Sequence, residues 1–270
     1  GLKFRSEAPQ QNHRPSVKPA MEPAPVSAWP LLGKLAIWVE RCLFPLVFFF
    51  FAWNNQATLA ALCPRLPSGG VDWSKVCAGD GLTMAVLAPH FMLLIFNLFM
   101  GTMILLGRAP EKPPQALPDI LVPLATVGFS LAYNYTSFSW VPDGLKLNLL
   151  PAPWQFPCAL AGLILLALGP ALGIWALFHL RRNFSIFVMV RGVILGGPYR
   201  YVRHPMYLGY LLMCLGFVLG QFSIGTFVLV PIHVGLFYYR ASLEEVLLAG
   251  HSAAYRDHQR HSGFLLPWRR

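Results

Sequence analysis

The chain has 270 residues, of which 56% are hydrophobic and 12% charged, with a mean hydropathy of +0.52. Soluble domains carry about a quarter charged residues, so an ordinary soluble globular protein is excluded; twenty Phe and eight Trp exclude wholesale disorder. A net charge of +10 would point to nucleic acid in a soluble protein. Here the basic residues lie between long apolar runs, where they anchor the cytoplasmic side of a membrane protein, and no nucleic-acid partner is expected.

Residues 1–30 hold Pro9, Pro15, Pro19, Pro23, Pro25 and Pro30 and no apolar period; this composition predicts a disordered tail. A bilayer crossing needs roughly 20 apolar residues. The first such run is uncharged from Cys42 to Pro64 and extends back toward Leu31 if Lys34, Glu40 and Arg41 sit at the interface or in the bundle. Gly81 to Gly107 is the second and Ile120 to Pro142 the third. Pro151, Pro153 and Pro157 break the start of the next run, so its helix is expected from about Pro157 to Leu180. Pro205 to Tyr239 is uncharged and too long for one crossing. Gly220-Gln221-Phe222-Ser223-Ile224-Gly225 supplies a turn that divides it into a hairpin.

The expectation is therefore an all-α polytopic membrane protein with about six transmembrane helices. Charge tests the count independently. Lys3, Arg5, Arg14, Lys18 and Lys34 precede the first run, Arg181, Arg182, Arg191, Arg200 and Arg203 fill the fourth loop without an acid, and Arg240, Arg256, Arg260, Arg269 and Arg270 follow the last run. Intervening loops balance, as at Lys146 with Asp143. Alternate basic loops put both termini in the cytoplasm. The expected organisation is a tail over 1–30, spans one to three over 31–150 shaping an acceptor cavity, and a catalytic membrane domain over 151–270 ending in a cytoplasmic helix.

The five cysteines contain no CxxC pair, so zinc and iron–sulfur spacing is absent. His258 and His261 have no third ligand nearby in sequence, and no metal is expected. Cys63 and Cys77 share one outer loop, where a disulfide and two free thiols are both open.

Two cytoplasmic segments carry the polar chemistry. One runs from Arg181-Arg-Asn-Phe-Ser185 through Gly196-Gly-Pro-Tyr-Arg-Tyr-Val-Arg-His-Pro-Met-Tyr-Leu-Gly209; the other runs from Arg240-Ala-Ser-Leu-Glu-Glu245 to Tyr255. The final hairpin returns the chain to the same face and brings them together. Gly196, Gly197 and Pro198 form a turn that lets backbone approach a ligand. Pro205 suits a first helical turn. The tyrosines offer flat faces, and Glu244 and Glu245 offer acceptors. Two readings stay open on the residues alone: a pocket for a nucleotide-like ligand, or an interfacial Arg/Tyr belt that grips lipid headgroups.

The run Gly197-Pro-Tyr-Arg-Tyr-Val-Arg-His-Pro-Met-Tyr-Leu-Gly209, with Arg182-Asn-Phe-Ser185 before it and Arg240…Glu244 after it, resembles the isoprenylcysteine carboxyl methyltransferase family, which groups with membrane phospholipid methyltransferases. The resemblance covers roughly residues 157–267; residues 1–150 carry none. It implies an S-adenosylmethionine pocket over the last hairpin, closed by the C-terminal helix. It further implies that Arg191, Gly192, Val193 and Ile194 line the cofactor with backbone. Tyr199, His204, Pro205, Met206, Tyr207 and Glu244 would contact the cofactor. Arg240 would hold the acceptor, with Arg203 beside it in the catalytic set. Arg240 and Glu244 are spaced to share a helix face. The sequence departs from the family at Met189, where eukaryotic members have a glutamine, at His251-Ser252 in place of Phe-Gly, and at His258 in place of a tyrosine. The glutamate pair aligns on Glu244 or one position later.

The resemblance implies methyl transfer to a lipophilic acceptor that enters from the bilayer and is isoprenylcysteine carboxylate-like or phospholipid-like. A carboxylate needs orientation by Arg240; an amine needs a base, for which His204 and Glu245 are the nearest residues. Two rivals are an NADPH-dependent sterol-reductase-like enzyme, against which Met206 and Tyr210 speak, and a non-catalytic lipid-binding scaffold. Elsewhere, His90 and Asn97 share a helix face and are expected to hydrogen-bond within the bundle. His233 reads as a satisfied packing residue, Glu40 and Arg41 as residues that pair or snorkel at the membrane edge, and Phe48 to Phe51 as lipid-facing bulk.

Overall fold

The computed structural model describes residues 29–63, 81–135 and 142–267. Eight α-helices are seen among them: α1 (Trp29–Leu62), α2 (Gly81–Leu105), α3 (Pro118–Tyr135), the single turn α4 (Asp143–Lys146), α5 (Ala152–Leu180), α6 (Pro205–Gly220), α7 (Ile224–His251) and α8 (Ala253–His261). Short 3-10 turns lie at Arg181–Asn183 and Gly197–Arg200. The described residues contain no strand, only the isolated bridges Lys112–Val190 and Val202–Gly263. The expected tail, to residue 28, and Cys77, hence any Cys63–Cys77 bond, fall outside the described residues.

Each expected apolar run houses a helix. Helices α1, α2, α5 and α7 are long and apolar enough to cross a membrane, and α3 and α6 supply the shorter apolar stretches Pro118–Ser130 and Pro205–Gly220. The chain is an all-α integral membrane protein. With 16 residues, α6 rises about 24 Å, short of the roughly 30 Å hydrocarbon layer. At 28 residues, α7 rises about 42 Å and carries its charged C-terminal turns beyond the layer. Ser223 starts α7 with a reciprocal capping box to Thr226, which gives the hairpin its sharp entry.

Two boundaries differ from expectation. Helix α1 begins at Trp29, so Lys34, Glu40 and Arg41 are helical residues inside it. Helix α5 begins at Ala152 rather than near Pro157, because Pro153 falls in the first turn, where a missing N–H costs nothing, and Pro157 is carried inside the helix.

The most extensive helix pair is α5 with α6. A Cβ on Gly169 would lie 2.6 Å from the Gly209 carbonyl oxygen, and one on Gly209 would lie 2.7 Å from that of Gly169. Two turns away, Gly162 and Gly216 repeat the arrangement. Backbone meets backbone here, the small-residue packing that membrane helices use where lipid provides no hydrophobic drive. The core gathers Phe44, Met100, Ile104, Leu177 and Phe187, while Leu46, Trp53, Trp154, Trp175 and Val228 face outward. The phenylalanine run is not uniform bulk. Phe50 is exposed, but Phe48 is buried and with Phe51 lines the internal cavity. Four successive helical residues sweep about 300° and cannot share one lipid face.

Candidate active site

Loop residues between α5 and α6 are stitched to the α2–α3 loop. Val190 N donates to Lys112 O at 3.0 Å, Glu111 N donates to Val190 O at 2.7 Å, and Val188 N donates to Asp119 O at 3.0 Å. Arg182 Nε donates to Leu106 O at 2.7 Å. The stitching is closed by an ion pair that spans the chain: Arg191 Nη2 lies 2.5 Å from Glu40 Oε2, with both side chains fully buried. The other Glu40 oxygen accepts from Ile186 N, and Arg191 Nη1 donates to Phe184 O at 2.8 Å. Burial pulls the Arg191 pKa below its usual value, against the raising effect of Glu40. Glu40 therefore pairs, as expected, but with a loop 151 residues away rather than with Arg41, whose guanidinium donates to Gly107 O.

The final hairpin brings the two polar segments together. His204 is the N-cap residue of α6 and Pro205 follows in its first turn. Tyr207 OH donates to Glu244 Oε1 at 2.5 Å. Arg240 Nε donates to the same oxygen at 3.3 Å, Arg240 Nη2 donates to Ile186 O at 2.6 Å, and its guanidinium lies over the Tyr207 ring at 5.7 Å. Arg203 faces the other glutamate: its Nε is 2.5 Å from Glu245 Oε1, and its Nη1 donates to the carbonyls of Gln259 and Ser262. His204 Nε2 also meets Glu245 Oε1, at 3.2 Å.

These residues wall one end of a cavity of about 580 Å³ that continues between the membrane helices. Arg191, Gly192, Val193, Ile194, Tyr199, Arg203, His204, Met206, Tyr207, Arg240 and Glu244 all line it, and Pro205 does not. Glu244 is on this cavity whereas Glu245 is on the outer groove with Tyr238 and Phe264. Arg203 lines the wall, but its guanidinium is committed to the C-terminal segment. The apolar Met189 lines it where a glutamine stands in eukaryotic relatives of the resembled family.

Helix α8 closes the pocket. Ser252 caps it by accepting from Tyr255 N, and His258 Nε2 lies 2.9 Å from Tyr199 O. The departures from the family pattern at Ser252 and His258 thus serve as a helix cap and a latch. Burial, aided by the carboxylates of Glu244 and Glu245, raises the Tyr255 pKa; burial, with Glu244 and Tyr255, holds Tyr199 well above its usual value. Both phenols are neutral donors at physiological pH.

Three buried polar atoms on residues of this wall have no partner among the described residues: the Tyr255 hydroxyl, Asn183 Oδ1 and Arg191 Nε. Gly192, at φ +151°, places its backbone where a Cβ would lie 2.9 Å from that Asn183 oxygen. Unpartnered donors, a lone acceptor, a carboxylate, flat aromatic faces and the bare backbone at Gly192 suit a nucleoside-bearing ligand. Sequence reasoning did not single out Asn183, Tyr255 or Glu40 as site or support residues. Asn183 lay within the motif, and Tyr255 is the lone aromatic in a polar C-terminal helix. Glu40 is the lone acid of an apolar helix, a placement that demands a buried partner.

Fold and site together define an integral membrane protein with a polar pocket that opens into a chamber between its helices. Residues 157–252 match the family model described as phospholipid methyltransferase, so this part of the chain is similar to that family. No curated protein matches the chain.

Proposed function

We propose that the protein is an S-adenosylmethionine-dependent methyltransferase acting on a lipophilic acceptor that reaches the pocket from the bilayer, with both termini cytoplasmic. One observation carries this reading: a single cavity joins the motif-bearing polar pocket to a chamber between membrane helices. In this reading residues 31–150 supply much of the acceptor chamber, and residues 151–270 supply the methyl-transfer end.

S-adenosylmethionine, when bound, supplies an electrophilic sulfonium methyl. Glu244 presents a carboxylate to that cation and to sugar hydroxyls, and Tyr207 and Arg240 fix its orientation. Tyr255 donates and Asn183 accepts where each has no protein partner. Backbone from Arg191 to Ile194, with Tyr199 and Met206, borders the rest, and His204 and Pro205 set the angle at which α6 leaves it. Arg240 orients an acceptor carboxylate or phosphate; the protein already holds its Nη2 and Nε, so it reaches the acceptor pre-aligned. Arg203 acts as a positioning residue that ties α8 down through Glu245, Gln259 and Ser262. Closure by α8 excludes water, and in a dry site the fixed charges act more strongly on a reaction in which charge is neutralised.

Titration calorimetry of the purified protein in detergent tests the reading. Binding of S-adenosylmethionine or its demethylated product is expected, and no heat at millimolar ligand refutes it.

A further inference from the structure

Where α1 meets the ends of α2 and α5, positive charge is gathered with no acid left to balance it. Helix α2 lies between α1 and α5 and packs on both. Just past its last turn, two consecutive carbonyls are taken by arginines from the two neighbouring elements. Arg182 Nε donates to Leu106 O at 2.7 Å, and Arg41 Nη2 donates to Gly107 O at 3.0 Å. The two acceptors are one residue, about 3.8 Å of chain, apart, so the two guanidinium groups are held near each other. Arg108 follows directly, and its backbone N–H donates to Arg182 O at 2.8 Å. Arg181 precedes Arg182, with its guanidinium 5.6 Å from the centre of the Phe178 ring. A further charge lies behind them, since a Cβ on Gly107 would collide with Arg191 Nη1.

The acids of this region are engaged elsewhere. Glu40 accepts from Arg191 with one oxygen and from Ile186 N with the other. Glu111 Oε2 meets His251 Nε2 at 2.8 Å. Asp119 Oδ2 accepts from Gln115 N and Ala116 N, at 2.8 and 2.9 Å. Among the described residues no carboxylate pairs with Arg41, Arg108, Arg181 or Arg182. Arg108, Arg181 and Arg182 are exposed, and both Nη groups of Arg182 have no partner among the described residues. Arg181 also sits at φ +49°, the one positive value outside glycine among the described residues. Helices commonly end on glycine when φ is positive, so an arginine here is kept against a backbone cost.

The surface beside these arginines is apolar. Leu105 and Leu106 at the end of α2, Trp175 and Phe178 near the end of α5, and Trp38 one turn before Arg41 are all exposed. Aromatic and apolar residues next to basic ones mark the level at which lipid headgroups meet acyl chains. A guanidinium forks onto phosphate oxygens. The ammonium of a zwitterionic headgroup would meet uncompensated positive charge, and a free phosphate would leave the apolar belt unused.

We infer that this junction is a binding site for an anionic phospholipid. Arg182 forks onto the headgroup phosphate beside the half-buried Arg41, Arg108 and Arg181 flank it, and the acyl chains lie on Leu105, Leu106 and Phe178. The inference goes beyond the methyltransferase reading and does not rest on it.

The test titrates the purified protein, in an uncharged maltoside detergent, with three probes. Dioctanoyl-phosphatidylglycerol and dioctanoyl-phosphatidylcholine share their acyl chains, and glycerol 3-phosphate has none. Native mass spectrometry and the melting temperature report binding. Phosphatidylglycerol is expected to bind saturably and at least about tenfold more tightly than phosphatidylcholine, with glycerol 3-phosphate inert. The side chains of Arg108 and Arg181 make no hydrogen bond or ion pair among the described residues, so Arg108→Gln and Arg181→Gln should fold. Each should weaken phosphatidylglycerol about fivefold, the effect of one basic residue near an anionic lipid. Arg181→Gly also relieves the positive φ; without lipid it should melt no lower than the parent, yet bind as weakly as Arg181→Gln. Arg260→Gln removes the same charge from α8 and should leave the affinity unchanged. Equal affinity for the two lipids overturns the inference. So does an equal loss in Arg260→Gln and Arg108→Gln, which would show that net charge alone draws the lipid. Glycerol 3-phosphate binding as tightly as phosphatidylglycerol overturns it in favour of a soluble anion. S-adenosylmethionine takes no part in the assay, so failure of either reading leaves the other standing.

Discussion

Replacing Glu40 by alanine removes the carboxylate that joins α1 to the loop beneath the polar pocket. Both partners of the Glu40–Arg191 pair are fully buried, so water cannot take over either role. The variant strands the Arg191 Nη2 and the Ile186 N–H, both of which Glu40 satisfies. Breaking one side of a buried ion pair costs about 3–5 kcal/mol. In a domain of this size each kcal/mol lowers the melting temperature by about 2–4 °C. A fall of about 10 °C is therefore expected in a detergent melt followed by circular dichroism, with a loss of cofactor affinity as the Arg191–Ile194 segment loosens. The double variant Glu40→Leu/Arg191→Met removes both buried charges and should recover more than half of the fall, because neither ion remains unpaired. A melting temperature within about 3 °C of the parent for Glu40→Ala would show that the pair is not closed to solvent. A double variant no better than the single would refute the account of the charge.

Glu244→Ala should weaken S-adenosylmethionine binding at least tenfold, about 1.4 kcal/mol, with near-normal expression, whereas Glu245→Ala should chiefly loosen α8; calorimetry and limited proteolysis separate the two. Tyr255→Phe removes a buried hydroxyl with no partner among the described residues, so it should leave the melting temperature unchanged or raised while cofactor affinity falls severalfold. Arg240→Lys keeps the charge but loses the planar fork; it should cut turnover of an anionic acceptor about tenfold with cofactor affinity retained, and full turnover would argue for a neutral acceptor. Burial lowers the His258 pKa, against the raising contact with Tyr199 O. The unfolded segment therefore takes up its proton first, so docking of α8 is strongest above the ordinary histidine value of about 6.5 and weakens as pH falls through the lower folded value. Hydrogen exchange in residues 253–261 should rise over that window, and His258→Gln should flatten the response.

Much of this architecture is legible in the sequence because a bilayer makes hydropathy almost a structural measurement. The uncharged run from Pro205 with its Gly220–Gly225 break reads directly as α6 and α7. The motif from Gly197 to Gly209 names the residues that end up on one wall. Helix ends were harder: three prolines before Leu160 look like a barrier, yet Pro153 is absorbed at a helix start. Pairings between distant segments left less trace. Glu40 carries no mark of Arg191, and nothing local distinguishes Glu244 from Glu245; only the direction in which α7 turns its faces sets one on the cavity and the other on Arg203.

The glycine contacts between α5 and α6 have a consequence for how this protein can change. A helix pair held at glycines has no room at its seam, where an added methyl would meet a carbonyl oxygen at 2.6–2.8 Å, so that pair is a fixed post. The polar pocket is hung on it through His204 and Pro205. The cavity residues on α1, α2, α3 and α7 stand away from the seam, whereas Leu166 and Met213 belong to both. Much of the cavity's shape can therefore change by substitution while the post holds the pocket in place.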